Sequence, residues 1–444
     1  MQASPTPSAG VADQSRRAAV AAFIGTTIEW YDFFIYGVAA ALVFGPLFFA
    51  GETPFLGTLS AFGAFAVGFL ARPAGGLIFG HLGDRFGRKR ALIATLVMMG
   101  LATSAIGLLP TYASAGIWAP VALVLLRLFQ GIAVGGEWGG AVLLAAEHAP
   151  RGRSTYFASF AQLGSPAGQI LSLLAFRLAG LMDKEAFLAW GWRLPFLASV
   201  VLLAVGFVIR LGVAESPAFQ AAQAADREAL ARAAPIPEVL RTQRGPLLMA
   251  IAANTFAIAS VYLYQVFLIT YAVQYLHIER AVILDALLIT AGVQFVVQPV
   301  AARVAERLGD ESRFLQLSLL WCIVTPYPLF LLLETRSFAA ITLGLCLIQL
   351  GIASFYAVVA GYVAGAFPTR VRYTAISIGY QFSGAVAGGL TPIVGTVLAE
   401  ASGGAWLPIA LFGTTLAGIS LLGITLLRPH VRALRRWGED EAAA

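Results

Sequence analysis

Apolar residues in this chain come in long runs broken by short polar loops. The runs cover 18–48, 55–79, 91–110, 117–147, 154–181, 190–212, 246–276, 283–304, 314–333, 338–366, 374–399 and 405–427. Each is long enough to cross about 30 Å of hydrocarbon as a helix. The pattern predicts an all-α membrane protein of twelve transmembrane helices. The longest break, 213–245, is rich in Ala, Pro and charge, and its stretch Phe219 to Ala234 reads as a surface helix. The predicted layout is therefore a tail at 1–17, a six-helix bundle at 18–212, a linker at 213–245, a second bundle at 246–427 and a tail at 428–444.

Faint internal similarity supports two related halves. Arg153 is followed by Gln162 and Arg372 by Gln381, at an offset of about 219 positions; Leu82-Gly83-Asp84 and Leu308-Gly309-Asp310 repeat at about 226. Transporters built from such repeats place the substrate near the bilayer midplane, between the halves.

Composition narrows the class. Of 444 residues 59% are hydrophobic and 12% charged, with a mean hydropathy of +0.80. A soluble domain carries about 25% charged residues. The net charge of +6 suggests no nucleic-acid partner, because the arginines and lysines gather in alternate loops. By the positive-inside bias, that places both termini in the cytoplasm of a bacterial inner membrane. The N-terminus shows no cleavable signal pattern. Cys322 and Cys346 sit inside apolar runs and read as small core residues. His81, His148, His277 and His430 fall in loops or at span ends, none paired with a cysteine at ligand spacing. No phosphate loop is present, so neither a metal, a cofactor nor ATP drive is expected.

Charge stranded inside the spans carries the chemistry, since an ionisable group at membrane depth is costly and marks function. At 1.5 Å per residue, Glu29 and Asp32 lie about 18 and 22 Å beyond Arg17, on one helix face. By the same arithmetic Arg127 is about 30 Å, and Glu137 about 15 Å, from the inner end of span four. Glu29, Asp32 and Glu137 are the candidate proton carriers and Arg127 the candidate substrate anchor. A static buried ion network is the competing reading. Tyr31, Gln162, Asn254, Tyr264 and Gln381 are further candidate substrate contacts, or else glue between helices. Trp30 and Tyr31 could also face a quaternary amine. Arg72, placed near the inner end of span two, reads as structural.

The segment Gly80-His81-Leu82-Gly83-Asp84-Arg85-Phe86-Gly87-Arg88-Lys89-Arg90-Ala91-Leu92 fills every position of G-x-L-x-D-R-x-G-R-K-x-x-L. It resembles the signature loop of the major facilitator superfamily. Four further segments are similar to its metabolite:proton symporters, which carry citrate, 2-oxoglutarate, shikimate, proline or betaine. They are Glu29-Trp30-Tyr31-Asp32-Phe33-Phe34, Arg72-Pro73-Ala74-Gly75-Gly76, Arg127-x-x-Gln130-Gly131 running on to Gly135-Gly136-Glu137, and Phe367-Pro368-Thr369-Arg370-Val371-Arg372-Tyr373. The resemblance implies two rocking six-helix bundles and a cavity lined by spans 1, 4, 7 and 10. It also implies a gating loop at Gly80, Asp84, Arg85, Gly87 and Arg88. The second copy, Leu308-Gly309-Asp310-Glu311-Ser312-Arg313, lacks the paired basic residues and should gate more weakly. The expected activity is proton-coupled import of a small organic acid by a monomer in the bilayer. The alternatives are symport of a zwitterionic osmolyte, a proton-independent facilitator and, from another class, a membrane enzyme or binding protein.

Overall fold

The computed structural model describes residues 9–49, 53–86, 88–135, 154–212 and 235–443. The first half consists of α1 (Ala9–Ala39, continuing to Phe48), α2 (Pro54–Phe86), α3 (Arg88–Leu108), α4 (Trp118–Gly135), α5 (Ser154–Ala179) and α6 (Leu194–Leu211). The second consists of α7 (Arg244–Val261, continuing to Tyr275), α8 (Arg280–Leu308), α9 (Glu311–Val324, continuing to Glu334), α10 (Phe338–Ala364), α11 (Thr369–Ser383, continuing to Ala401) and α12 (Leu407–Ala443). Wider π-turns at Ala40–Phe44, Tyr262–Phe267, Tyr271–Tyr275 and Gly384–Gly388 interrupt α1, α7 and α11. Such breaks are tolerated at membrane depth where neighbouring helices shield the freed backbone.

Among the described residues, eleven helices are long and apolar enough to cross a membrane. The remaining one, α5, has 26 residues but carries buried Ser165, Gln169 and Ser172. It packs on α1 in its own half and on α8 in the other, so protein rather than lipid covers its polar side. Helix continues past two of the expected boundaries. The tail at 428–444 continues α12 as helix through Ala443, and α1 begins before residue 18. The expected surface helix at Phe219 to Ala234 lies outside the described residues. The linker's end, Pro235–Thr242, forms a short helix that packs on α11 and fully buries Val239.

Helix pairing repeats between the halves. α1–α5, α2–α4 and α3–α6 in the first half correspond to α7–α11, α8–α10 and α9–α12 in the second. The two most extensive contacts between halves, α5–α8 and α2–α11, are also each other's equivalents. This is the two-fold pseudo-symmetry that the sequence offsets predict.

Small residues let α2 and α4 approach closely. A Cβ on Gly131 would collide with the Gly68 carbonyl, and one on Gly135 with the Arg72 carbonyl. A leucine at Gly131 is expected to destabilise the fold by about 3 kcal/mol, as overpacked cores do. Gly63→Leu should be tolerated, since a Cβ there meets open space. Denaturation of the two purified variants separates them.

At the face opposite the termini, Arg177 of α5 pairs with Asp285 of α8 at 2.8 Å, and Gln274 of α7 donates to Thr58 of α2 at 3.0 Å. Both ties join the halves. With Arg177 and Asp285 35% and 38% exposed, the ion pair is worth about 0.5 kcal/mol. Arg177→Asp should therefore change the uptake rate by about twofold, and adding Asp285→Arg should restore it.

Candidate functional site

The site forms where α1, α2 and α4 meet α7, α10 and α11. Arg127 of α4 is 1% exposed. Its guanidinium carbon lies 4.3 Å from the centroid of Tyr36 and 4.7 Å from those of Phe33 and Phe65. Aromatic faces attract a cation most strongly when water is absent. Gly68 on α2 leaves the room this side chain needs, since a Cβ there would fall 2.5 Å from Arg127 Nε. Nη1 donates to Gln130 Oε1 at 3.1 Å, whereas Nε and Nη2 have no hydrogen-bond partner among the described residues. A buried guanidinium with two donors unmatched is a poor structural element and a ready anion receptor.

Arg72 is a second buried guanidinium at this centre. It is 5% exposed and sits 4.3 Å from the Phe33 centroid and 4.2 Å from that of Phe69, with Nε unpartnered among the described residues. Phe33 is thus within cation–π range of both arginines. The apolar span of α2 covers Pro54–Phe79, so Arg72 stands toward its inner end as expected, while the helix itself runs on to Phe86.

Asp32 and Glu29 do not share surroundings, although their spacing places them on one face. Asp32, 2% exposed, turns into the first bundle. It accepts hydrogen bonds from Thr103 Oγ1 of α3 at 2.8 Å and from Ser199 Oγ of α6 at 2.9 Å. Thr103 Oγ1 in turn accepts from Gln130 Nε2 at 2.7 Å. Asp32 and Arg127 are therefore joined through two neutral side chains. Glu29, 6% exposed, is within electrostatic reach of Tyr262, Tyr356 and Tyr380 of the second half. Tyr262 packs edge-on against Phe65 and Phe69, and the Tyr356 and Tyr380 hydroxyls are hydrogen-bonded to each other. Gln381 Nε2 donates to the Gly135 carbonyl at 3.2 Å, tying α11 to α4, and its Oε1 is unpartnered among the described residues.

Several expected contacts are placed elsewhere. Tyr31 donates to the Pro195 carbonyl at 2.6 Å, which turns it toward α6. Tyr264 packs against Gly413 of α12, near Cys322 and Tyr327. Asn254 donates to the Ala250 carbonyl of its own helix. Gln162 is half-buried on α5. Glu137 and Gly87 lie outside the described residues. Of the gating segment, Gly80, Asp84 and Arg85 fall in the last turns of α2 and Arg88 opens α3. Next to it, Lys89 Nζ donates to the Leu211 carbonyl at the end of α6, at 2.7 Å.

The second copy of that loop recovers basic partners from α12. Asp310 meets Arg428 at 2.7 Å, Arg313 at 3.3 Å and Arg432 at 3.7 Å, and caps α9 by accepting from the Arg313 amide. Partial burial pushes its carboxyl upward. The Arg313 amide and the Arg428 and Arg313 charges outweigh that and hold it below the usual carboxylate range. A depressed carboxyl stabilises the fold above its ordinary value, so this contribution is lost only as pH falls through the lowered one.

The sequence profile of the sugar (and other) transporter family matches residues 18–239. The chain is 38% identical to the shikimate transporter of Escherichia coli K12 over 93% of this chain and 94% of that protein. It is 34% identical to the proline/betaine transporter of the same strain, over 95% of this chain and 85% of that one. Its fold resembles the crystal structure of a D-xylose-proton symporter with a TM-score of 0.72, at 17% identity, covering 92% and 97% of the two chains. The two-bundle helical architecture and these relatives together make the chain a multi-pass membrane transporter, a member of the major facilitator superfamily.

Proposed function

We propose that the chain is a proton-coupled symporter that imports a small organic acid by alternating access. It would act as a monomer in a bacterial inner membrane, with both termini cytoplasmic. One observation carries this reading: Arg127, buried among aromatic faces, with Nε and Nη2 unmatched. Shikimate, proline and betaine, named for the relatives, each bear a carboxylate, the group a guanidinium fork fits. Arg127 anchors that carboxylate and Arg72 adds to the local positive field. Asp32 takes the proton, being buried and joined to Arg127 through Gln130 and Thr103.

Glu29 beside Tyr262, Tyr356 and Tyr380 supports the zwitterion as second substrate class, because a carboxylate with aromatic neighbours suits a quaternary amine. Proteoliposomes with an imposed pH gradient distinguish the readings. Labelled shikimate should accumulate above its equilibrium level and lose that accumulation with a protonophore. Preferential accumulation of betaine would shift the assignment to the osmolyte. Equilibration without accumulation would make the protein a facilitator.

A further inference from the structure

Resting on that reading, we propose that Thr103 and Gln130 form a relay that reports the protonation state of Asp32 to Arg127, so that a proton on Asp32 frees the guanidinium for a carboxylate. The hydrogen bonds run in one direction. Arg127 Nη1 donates to Gln130 Oε1, Gln130 Nε2 donates to Thr103 Oγ1, and Thr103 Oγ1 donates to Asp32 Oδ2. Thr103 has one hydroxyl hydrogen but two acceptors in reach, Asp32 Oδ2 at 2.8 Å and the Met99 carbonyl at 2.9 Å. It is a two-position donor.

While Asp32 is ionised, the hydrogen goes to the carboxylate. That charge polarises the chain and strengthens each link. When Asp32 takes up one proton from the driving gradient, its new O–H donates to Thr103 Oγ1. The Thr103 hydrogen turns to the Met99 carbonyl, and no other covalent bond changes. Thr103 Oγ1 then accepts from both Asp32 and Gln130, one on each lone pair, and without the carboxylate charge to polarise it the bond from Gln130 weakens. The bond from Arg127 Nη1 to Gln130 Oε1 weakens in turn, which makes Nη1 available beside Nε and Nη2. Proton and carboxylate each favour the other's binding, and this coupling is reciprocal.

Among the described residues, Arg127 is a charged group in electrostatic contact with Asp32, and it is the one the relay addresses. The electrostatic reach of Asp32 extends to Tyr31 on its own helix and Arg127 on α4. From α3 and α6 it is met by the Thr103 and Ser199 hydroxyls. On α2, Arg72 faces Phe33 and Phe69. On α3, Lys89 binds the end of α6. On α6, Arg193 binds carbonyls at the end of α3, and Arg210 binds the Leu92 carbonyl. On α5, Arg177 is engaged by Asp285. On α7, Tyr262 packs against Phe65 and Phe69, and Tyr264 against Gly413.

Infrared difference titration of the full chain in lipid nanodiscs, without substrate, tests the relay. Asp32→Asn assigns the Asp32 carboxyl band and Arg127→Lys the guanidinium band. Protonating Asp32 is expected to shift the Arg127 band in the unmodified protein and in Thr103→Ser. Thr103→Val and Gln130→Leu should lose that shift while the Asp32 band still titrates. A guanidinium shift surviving in both variants, or missing from the unmodified protein while Asp32 titrates, overturns the relay and leaves the symport reading standing. If no carboxyl band disappears with Asp32→Asn, Asp32 is not the proton site: the relay falls, and with it the assignment of the proton to Asp32, while symport through another carrier is left standing.

Discussion

Replacing Arg127 with lysine is expected to lower carboxylate uptake by about 100-fold, while the protein still reaches the membrane. The loss corresponds to about 3 kcal/mol, the upper range for a hydrogen bond to a charged group whose partner is then buried and unmet. Lysine keeps the positive charge but not the planar fork. It also cannot occupy at once the three ring faces that surround the guanidinium. Initial uptake rates in vesicles, normalised to protein in the membrane, provide the check. Unchanged uptake by Arg127→Leu would remove Arg127 from substrate binding altogether.

Asp32→Asn is expected to abolish accumulation while leaving exchange. Asparagine still offers an oxygen to Thr103 or Ser199 but cannot carry a proton. A proton-motive force of roughly 180 mV supplies about 4 kcal/mol per charge moved, enough for about thousandfold accumulation. With no proton bound at this position, the steady-state ratio should fall to about one. Counterflow of labelled against unlabelled solute needs no net proton movement and should persist. Accumulation to the normal level in the variant would transfer the proton to Glu29 or to another group.

The architecture was readable because lipid imposes it. Continuous apolar runs gave the spans, and the repeat offsets near 219 and 226 foretold the pairing that recurs between halves. Side-chain direction was not readable. α1 is buried on nearly every side, so no polar stripe marks its rotation. Tyr31 and Asp32 turned into the first bundle while Glu29 faces the second. Tyr264 had the same ambiguity and packs on α12. Arg72 was placed by its span, but that its guanidinium lies over Phe33 and Phe69 at the centre was not readable. Thr103 left no signal, since a threonine within a span usually bonds back to its own helix, as this one also does to Met99. Gln130 stood inside a quoted motif, but only the fold shows that it bridges Arg127 and Thr103.

Asp310 borrows two of its three arginines from the far end of the chain. The last helix is therefore a brace for the loop between α8 and α9, and not merely a trailing extension. A truncation after Leu427 would strip that carboxylate of Arg428 and Arg432 together, leaving Arg313 alone to hold it. Reporter domains should accordingly be joined well beyond Arg432, where an attached body leaves the brace intact.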